Sequence, residues 1–105
     1  MDREHVLRVI RDFKEAMESR NVKINKIILF GSCARGDYKE GSDIDVIVIS
    51  ESFKKFTFWE RLDIVAEVIG DLFEPIEPVL MTQEEWDAGD SLFVEYAKNG
   101  EVFQY

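Results

Sequence analysis

Val6, Ile10, Phe13 and Met17 step along the chain by four, three and four residues, the spacing of one apolar stripe on a helix. This predicts an amphipathic helix from about Asp2 to Arg20, with Asn21 as its stop. Ile24 to Phe30 is then a short apolar run that halts at Gly31-Ser32, the pattern of a buried strand. Ile44 to Ile49 (IDVIVI) is rich in β-branched residues and predicts a second strand. Phe58, Leu62, Val65, Ile69 and Leu72 restore helical spacing and predict a helix from about Lys55 to Leu72, with Gly70 as a weak point. Pro75 to Met81 is expected as a third strand, at a sheet edge around Pro78 because proline has no N–H to donate to a neighbour. Thr82 with Glu85 makes a capping-box pattern for a short turn near Trp86, and a last helix is expected around Ser91–Lys98, stopping at Asn99-Gly100. Helices and strands alternate, so the expected fold class is α/β (α+β mixed), a small mixed β-sheet flanked by helices.

Composition narrows the function classes. The 105 residues are 46% hydrophobic, enough for one packed core, and with no repeat or linker-like stretch residues 1–105 are expected to form one domain. The longest run without charge is Ile27 to Ala34, far short of a membrane span of roughly 20 residues. No basic segment followed by an apolar stretch opens the chain, so no signal peptide is expected. Cys33 is the one cysteine, which excludes a disulfide framework and makes a reducing, cytoplasmic setting the expectation.

Charge divides the chain unevenly. Residues 1–50 balance nine bases against nine acids, whereas residues 51–105 hold four bases and thirteen acids, the whole of the net −9. Phosphate backbones are bound through clustered Lys and Arg, so stable nucleic-acid binding by that half is not expected. A solvated face is one reading of the acidic half, and a docking surface for a basic partner protein is the other.

Candidate chemistry gathers between Gly31 and Asp45. A strand that runs into Gly31-Ser32 and then a turn presents backbone N–H groups, and the serine hydroxyl can donate to an anion, a phosphate-cradle arrangement that many ordinary loops share. Asp43 and Asp45 are two apart at the head of a strand and project from one face. Two close carboxylates repel unless a cation lies between them, and their hard oxygens suit Mg²⁺; a strand cap and a solvated acid are the alternative. Ile44, Val46 and Val48 form one apolar face of the strand while Ile47 and Ile49 continue the Asp45 face inward, so the pair emerges where a buried face meets solvent. Glu77 could add a third carboxylate if the third strand lies beside the second, or be an exposed edge-strand acid.

The Gly31-Ser32 pair, the Asp43-x-Asp45 pair after ten intervening residues, and the interior Ala34-Arg35-Gly36-Asp37 and Gly41-Ser42 resemble the DNA polymerase β-type nucleotidyltransferase superfamily. More closely, the chain is similar to its short minimal nucleotidyltransferase (MNT) members. The resemblance is detailed over Ile27–Ile49 and looser, by element order, over most of the chain. It implies a nucleotidyltransferase fold, with Gly31, Ser32, Arg35 and Ser42 toward the nucleotide and Asp43, Asp45 and Glu77 as catalytic ligands of one or two Mg²⁺. Arg35 could instead pair with Asp37, and Glu77 is a methylene longer than the usual third aspartate of the family. The implied reaction moves AMP from ATP to a hydroxyl.

Three functions follow from the resemblance. The first is an antitoxin that adenylylates a tyrosine of a HEPN-domain toxin, to which the acidic half would dock. The second is a non-catalytic antitoxin acting by contact, and the third a small-molecule nucleotidyltransferase, for whose usual acceptor domain 105 residues leave no room. Among other residues, His5 is expected at the surface and Cys33 as buried filler. Phe56, Phe58, Trp59, Phe73, Trp86, Phe93, Tyr96 and Phe103 are expected mostly in the core, with some in the last third left for a partner.

Overall fold

A computed structural model describes residues 2–37 and 43–105. Helix α1 (Arg3–Glu18) begins where Asp2 accepts the His5 N–H at 2.9 Å, and Asn21 leaves it in the left-handed region, as its place in the sequence predicts. Strand β1 (Lys26–Phe30) leads into a single helical turn, α2 (Gly31–Ala34), and the next described element is β2 (Ile44–Ile49). The next helix does not start at Lys55. Ser50 caps a separate 3-10 turn over Glu51–Lys55, and α3 (Phe58–Leu72) opens at a full capping box between Thr57 and Glu60. The helix runs through Gly70, whose missing side chain faces open space. Strand β3 (Ile76–Met81), helix α4 (Gln83–Ala88) with the expected Thr82–Glu85 box, and helix α5 (Leu92–Ala97) come next. A strand that the apolar pattern does not announce, β4 (Glu101–Gln104), ends the series.

The sheet has the order β3-β2-β1-β4. β1 is antiparallel to both β2 and β4, while β2 and β3 are parallel, with α3 in the connection between them. Pro78, in β3, therefore does lie at an edge. Alternation along β2 divides the core into two layers. Val46 and Val48 face α1 and α3, where Val6, Ile10, Phe13 and Met17 meet Val65 and Val68. Ile47 and Ile49 face the other way, with Ile28, Phe30, Met81 and Ala97, under Trp86 and Val94. Among the described residues no helix is long and apolar enough to cross a membrane.

The aromatics depart from expectation. Phe56, Trp86 and Phe103 pack on the core, but Phe58, Trp59, Phe73, Phe93 and Tyr96 are exposed, with Phe73 at 91%. At the start of α3 the exposed rings of Phe58 and Trp59 meet edge-to-face, their centroids 5.4 Å apart. Cys33 is buried as expected, its thiol facing the Asp43 carbonyl at 3.5 Å. His5 is half-buried and holds structure: its ring meets Glu74 at 2.9 Å and Arg8 at 2.7 Å, tying α1 to the segment after α3.

Candidate active site at the head of β2 and β3

Register brings the candidate carboxylates together. β2 and β3 run parallel with Asp45 opposite Glu77, and on the other side Asp45 lies opposite Phe30, the last residue of β1. The turn of α2 starts immediately after Phe30, so Gly31 arrives beside Asp45. Gly31 has a φ of +73°, and a Cβ there would stand 2.5 Å from Asp45 Oδ2. Glycine is thus required twice, for the left-handed backbone and for the space that the carboxylate fills. From Gly31 the turn is closed by Arg35 N–H to Gly31 O at 3.3 Å and Asp37 N–H to Ser32 O at 2.9 Å.

Electrostatics at this point are those of crowded like charges. Burial pushes the Asp45 carboxyl above its ordinary value, and the charge of Asp43 pushes it further. Glu77 is raised chiefly by the charge of Asp43, then by burial, with Asp45 adding to the effect. Burial likewise raises the Cys33 thiol, with Asp45 and Asp43 adding to the effect, so it is no activated nucleophile. Among the described residues no three His, Cys, Asp or Glu side chains form a ready-made metal cluster, so the carboxylates are a convergent set and not a closed shell. The set nonetheless fits a divalent cation. Its donors are all hard oxygens, and a positive charge would relieve the repulsion that raises Asp45 and Glu77.

The remaining expected residues divide. Ser32 follows Gly31 in the same turn, half-buried. Arg35 is largely exposed and contacts Asp37 at 3.5 Å, so the pairing that its sequence position allows is present. Ser42 lies outside the described residues. Tyr96 and Asn99 were not expected at the site, yet with Gly31 and Arg35 they line a recess of about 180 Å³. Gly100 reads in sequence only as a helix stop, but a Cβ there would collide with the Leu29 carbonyl, and that close approach brings the end of α5 beside β1. The larger groove, about 380 Å³ beside Phe58, Arg61, Met81 and Glu85, opens at the far end of β3. Glu77 and Met81 are four residues apart, roughly 13 Å along a strand, and the Arg61 guanidinium is committed to Phe53 O and Glu85.

Known proteins share both the pattern and the fold. Residues 10–97 match the nucleotidyltransferase domain family. One protein of Methanocaldococcus jannaschii, provisionally named a protein adenylyltransferase, is 49% identical over 45 residues, covering 42% of this chain and 45% of that protein. Another from the same organism, named in the same way, is 36% identical over 62 residues, covering 58% of this chain and 71% of that protein. The matched segment thus spans a little under half of the first relative and more than two thirds of the second. A crystal structure from Sulfolobus solfataricus, provisionally described as a nucleotidyltransferase, superposes with a TM-score of 0.68 at 23% identity, covering 94% of this chain and 79% of that one. A second structure so described gives 0.54 at 23% identity, covering 96% and 97%. At that identity the structures speak for the fold, whereas the family match spans β1, the Gly31 turn, β2 and β3, the elements that carry the carboxylates. The chain belongs to the nucleotidyltransferase domain family.

Proposed function

We propose that this chain is a Mg²⁺-dependent nucleotidyltransferase that moves AMP from ATP to a hydroxyl, with a tyrosine of a HEPN-type toxin as the acceptor and neutralisation of that toxin as the result. The observation that carries the reading is the convergence of Asp43, Asp45 and Glu77 against the Gly31 turn. The names of the Methanocaldococcus relatives support a protein as the acceptor.

Asp43, Asp45 and Glu77 would hold the cation. When bound, it neutralises phosphate charge and makes an acceptor hydroxyl more acidic. Gly31 and Ser32 would receive the triphosphate through backbone N–H groups and the serine hydroxyl, with Arg35 at the margin. A bond forms between the acceptor oxygen and the α-phosphorus, the bond to pyrophosphate breaks, and the hydroxyl gives up its proton. The chain's own part is to align these atoms and to supply fixed charges.

The test is transfer of label from α-labelled ATP to a purified HEPN-type partner. Asp43→Asn or Asp45→Asn is expected to lower transfer by about 100-fold or more, as loss of a metal ligand does. Undiminished labelling by either variant would sink the mechanism. A wild-type chain that silences the partner without adding AMP would establish action by contact instead.

A further inference from the structure

We propose that the recess between the Gly31 turn and the end of α5 seats the base of the incoming nucleotide, a purine, stacked on the ring of Tyr96. The inference rests on the nucleotidyltransferase reading above and names where the nucleoside end of the substrate goes. Gly31 is common to both places: one side of it meets Asp45, and its turn also forms a wall of the recess with Arg35, Tyr96 and Asn99. A molecule whose phosphates lie on the Gly31 turn therefore has this recess within reach. At about 180 Å³ it is smaller than the roughly 300–1,000 Å³ of sites that enclose a whole ligand, but it suits one flat ring system.

The wall is built by the fold. Ala97 is fully buried in the second core layer, which turns its neighbour Tyr96 outward at 66% exposure. Gly100 N–H closes on Ala97 O at 2.8 Å, and the Gly100 backbone then lies against the Leu29 carbonyl so closely that no side chain fits. The next residue, Glu101, pairs with Leu29 and starts β4. α5 is thereby pinned beside the end of β1 and cannot drift from the Gly31 turn. Among the described residues the Tyr96 ring has no aromatic neighbour, and neither its hydroxyl nor the Asn99 amide has a hydrogen-bond partner. A free aromatic face is what a base stacks on, a purine offers the larger π-surface, and the Asn99 amide supplies both a donor and an acceptor for the edge of a base.

Calorimetric titration of the full chain with ATP and with inorganic tripolyphosphate, each with Mg²⁺, separates base from phosphate. Tyr96→Ala is expected to weaken ATP by about 5- to 150-fold, the range of one base–aromatic stack, and tripolyphosphate by less than about twofold. Tyr96→Phe, which keeps the ring, should bind ATP within about twofold of the wild type. Equal weakening of both ligands by Tyr96→Ala, or no weakening of ATP, would overturn the base seat. So would a wild-type chain that binds ATP no tighter than tripolyphosphate, and that result leaves the phosphate-binding turn standing. A wild-type chain that binds neither ligand would overturn the nucleotidyltransferase reading itself, and this inference with it.

Discussion

Asp45 lies against Gly31 in space that any other residue would fill, and it shares that corner with two more carboxylates. The crowding has a consequence for stability. Asp45 and Glu77 titrate above their ordinary values of 3.8 and 4.5, so the native chain holds protons that the unfolded chain has released. More protons bound in the native state means stability that falls as pH rises. The contribution is fully present below the ordinary values and is lost through the interval up to the raised ones, leaving net repulsion at neutral pH. Glu77→Gln removes one of the three charges. Without divalent cations, thermal denaturation of this variant is expected to show a Tm about 2–5 °C above the wild type at pH 7 and no gain near pH 3. An equal Tm at both pH values would show that the three carboxylates do not repel one another in the folded chain.

At the scale of elements, the glycines that matter are those that set one element against another. Gly100 packs its backbone on Leu29 O, and Gly70 faces nothing. Gly100→Ala is therefore expected to cost about 1–3 kcal/mol, because backbone and not a flexible side chain must yield. Gly70→Ala, in mid-helix and unobstructed, should gain about 0.5–1 kcal/mol. Denaturant titration of the two variants measures the contrast, and a neutral Gly100→Ala would mean that α5 is not pinned to β1.

The same residues explain what the sequence could reveal. The stripe of α1, the β-branched run of β2 and the capping box of Thr82 are local patterns, and each appears in the fold as expected. Proline placed β3 at an edge through its missing N–H. β4 escaped because Glu101–Gln104 alternates over only four residues, half-exposed, and is held by pairing with a strand more than seventy positions earlier. Asp43 and Asp45 are two apart in sequence, so spacing alone makes them candidates as a pair. Glu77 was legible only as a candidate, because its position opposite Asp45 depends on register, and the recess of Tyr96 depends on the Gly100 approach.

For the molecule as a whole, the net charge of −9, carried by residues 51–105, will attract any divalent cation diffusely. A rise in Tm on adding Mg²⁺ therefore says nothing by itself about the three carboxylates. The two effects differ in form. Diffuse attraction is reproduced by monovalent salt and is nearly independent of any one acid, because many exposed charges share it. Binding at one site saturates, and stabilises the native chain by about 1.4 kcal/mol when Mg²⁺ reaches ten times its dissociation constant. In salt-matched buffer at pH 7 the wild-type Tm is thus expected to rise along a saturable curve by about 4–8 °C per kcal/mol, as for a domain of this size. The Asp43→Asn/Asp45→Asn variant keeps all thirteen acids of the second half, so it should keep the diffuse response and lose the saturable one. Superimposable curves for the two proteins would mean that the acidic surface takes up the cation and the Gly31 corner holds none.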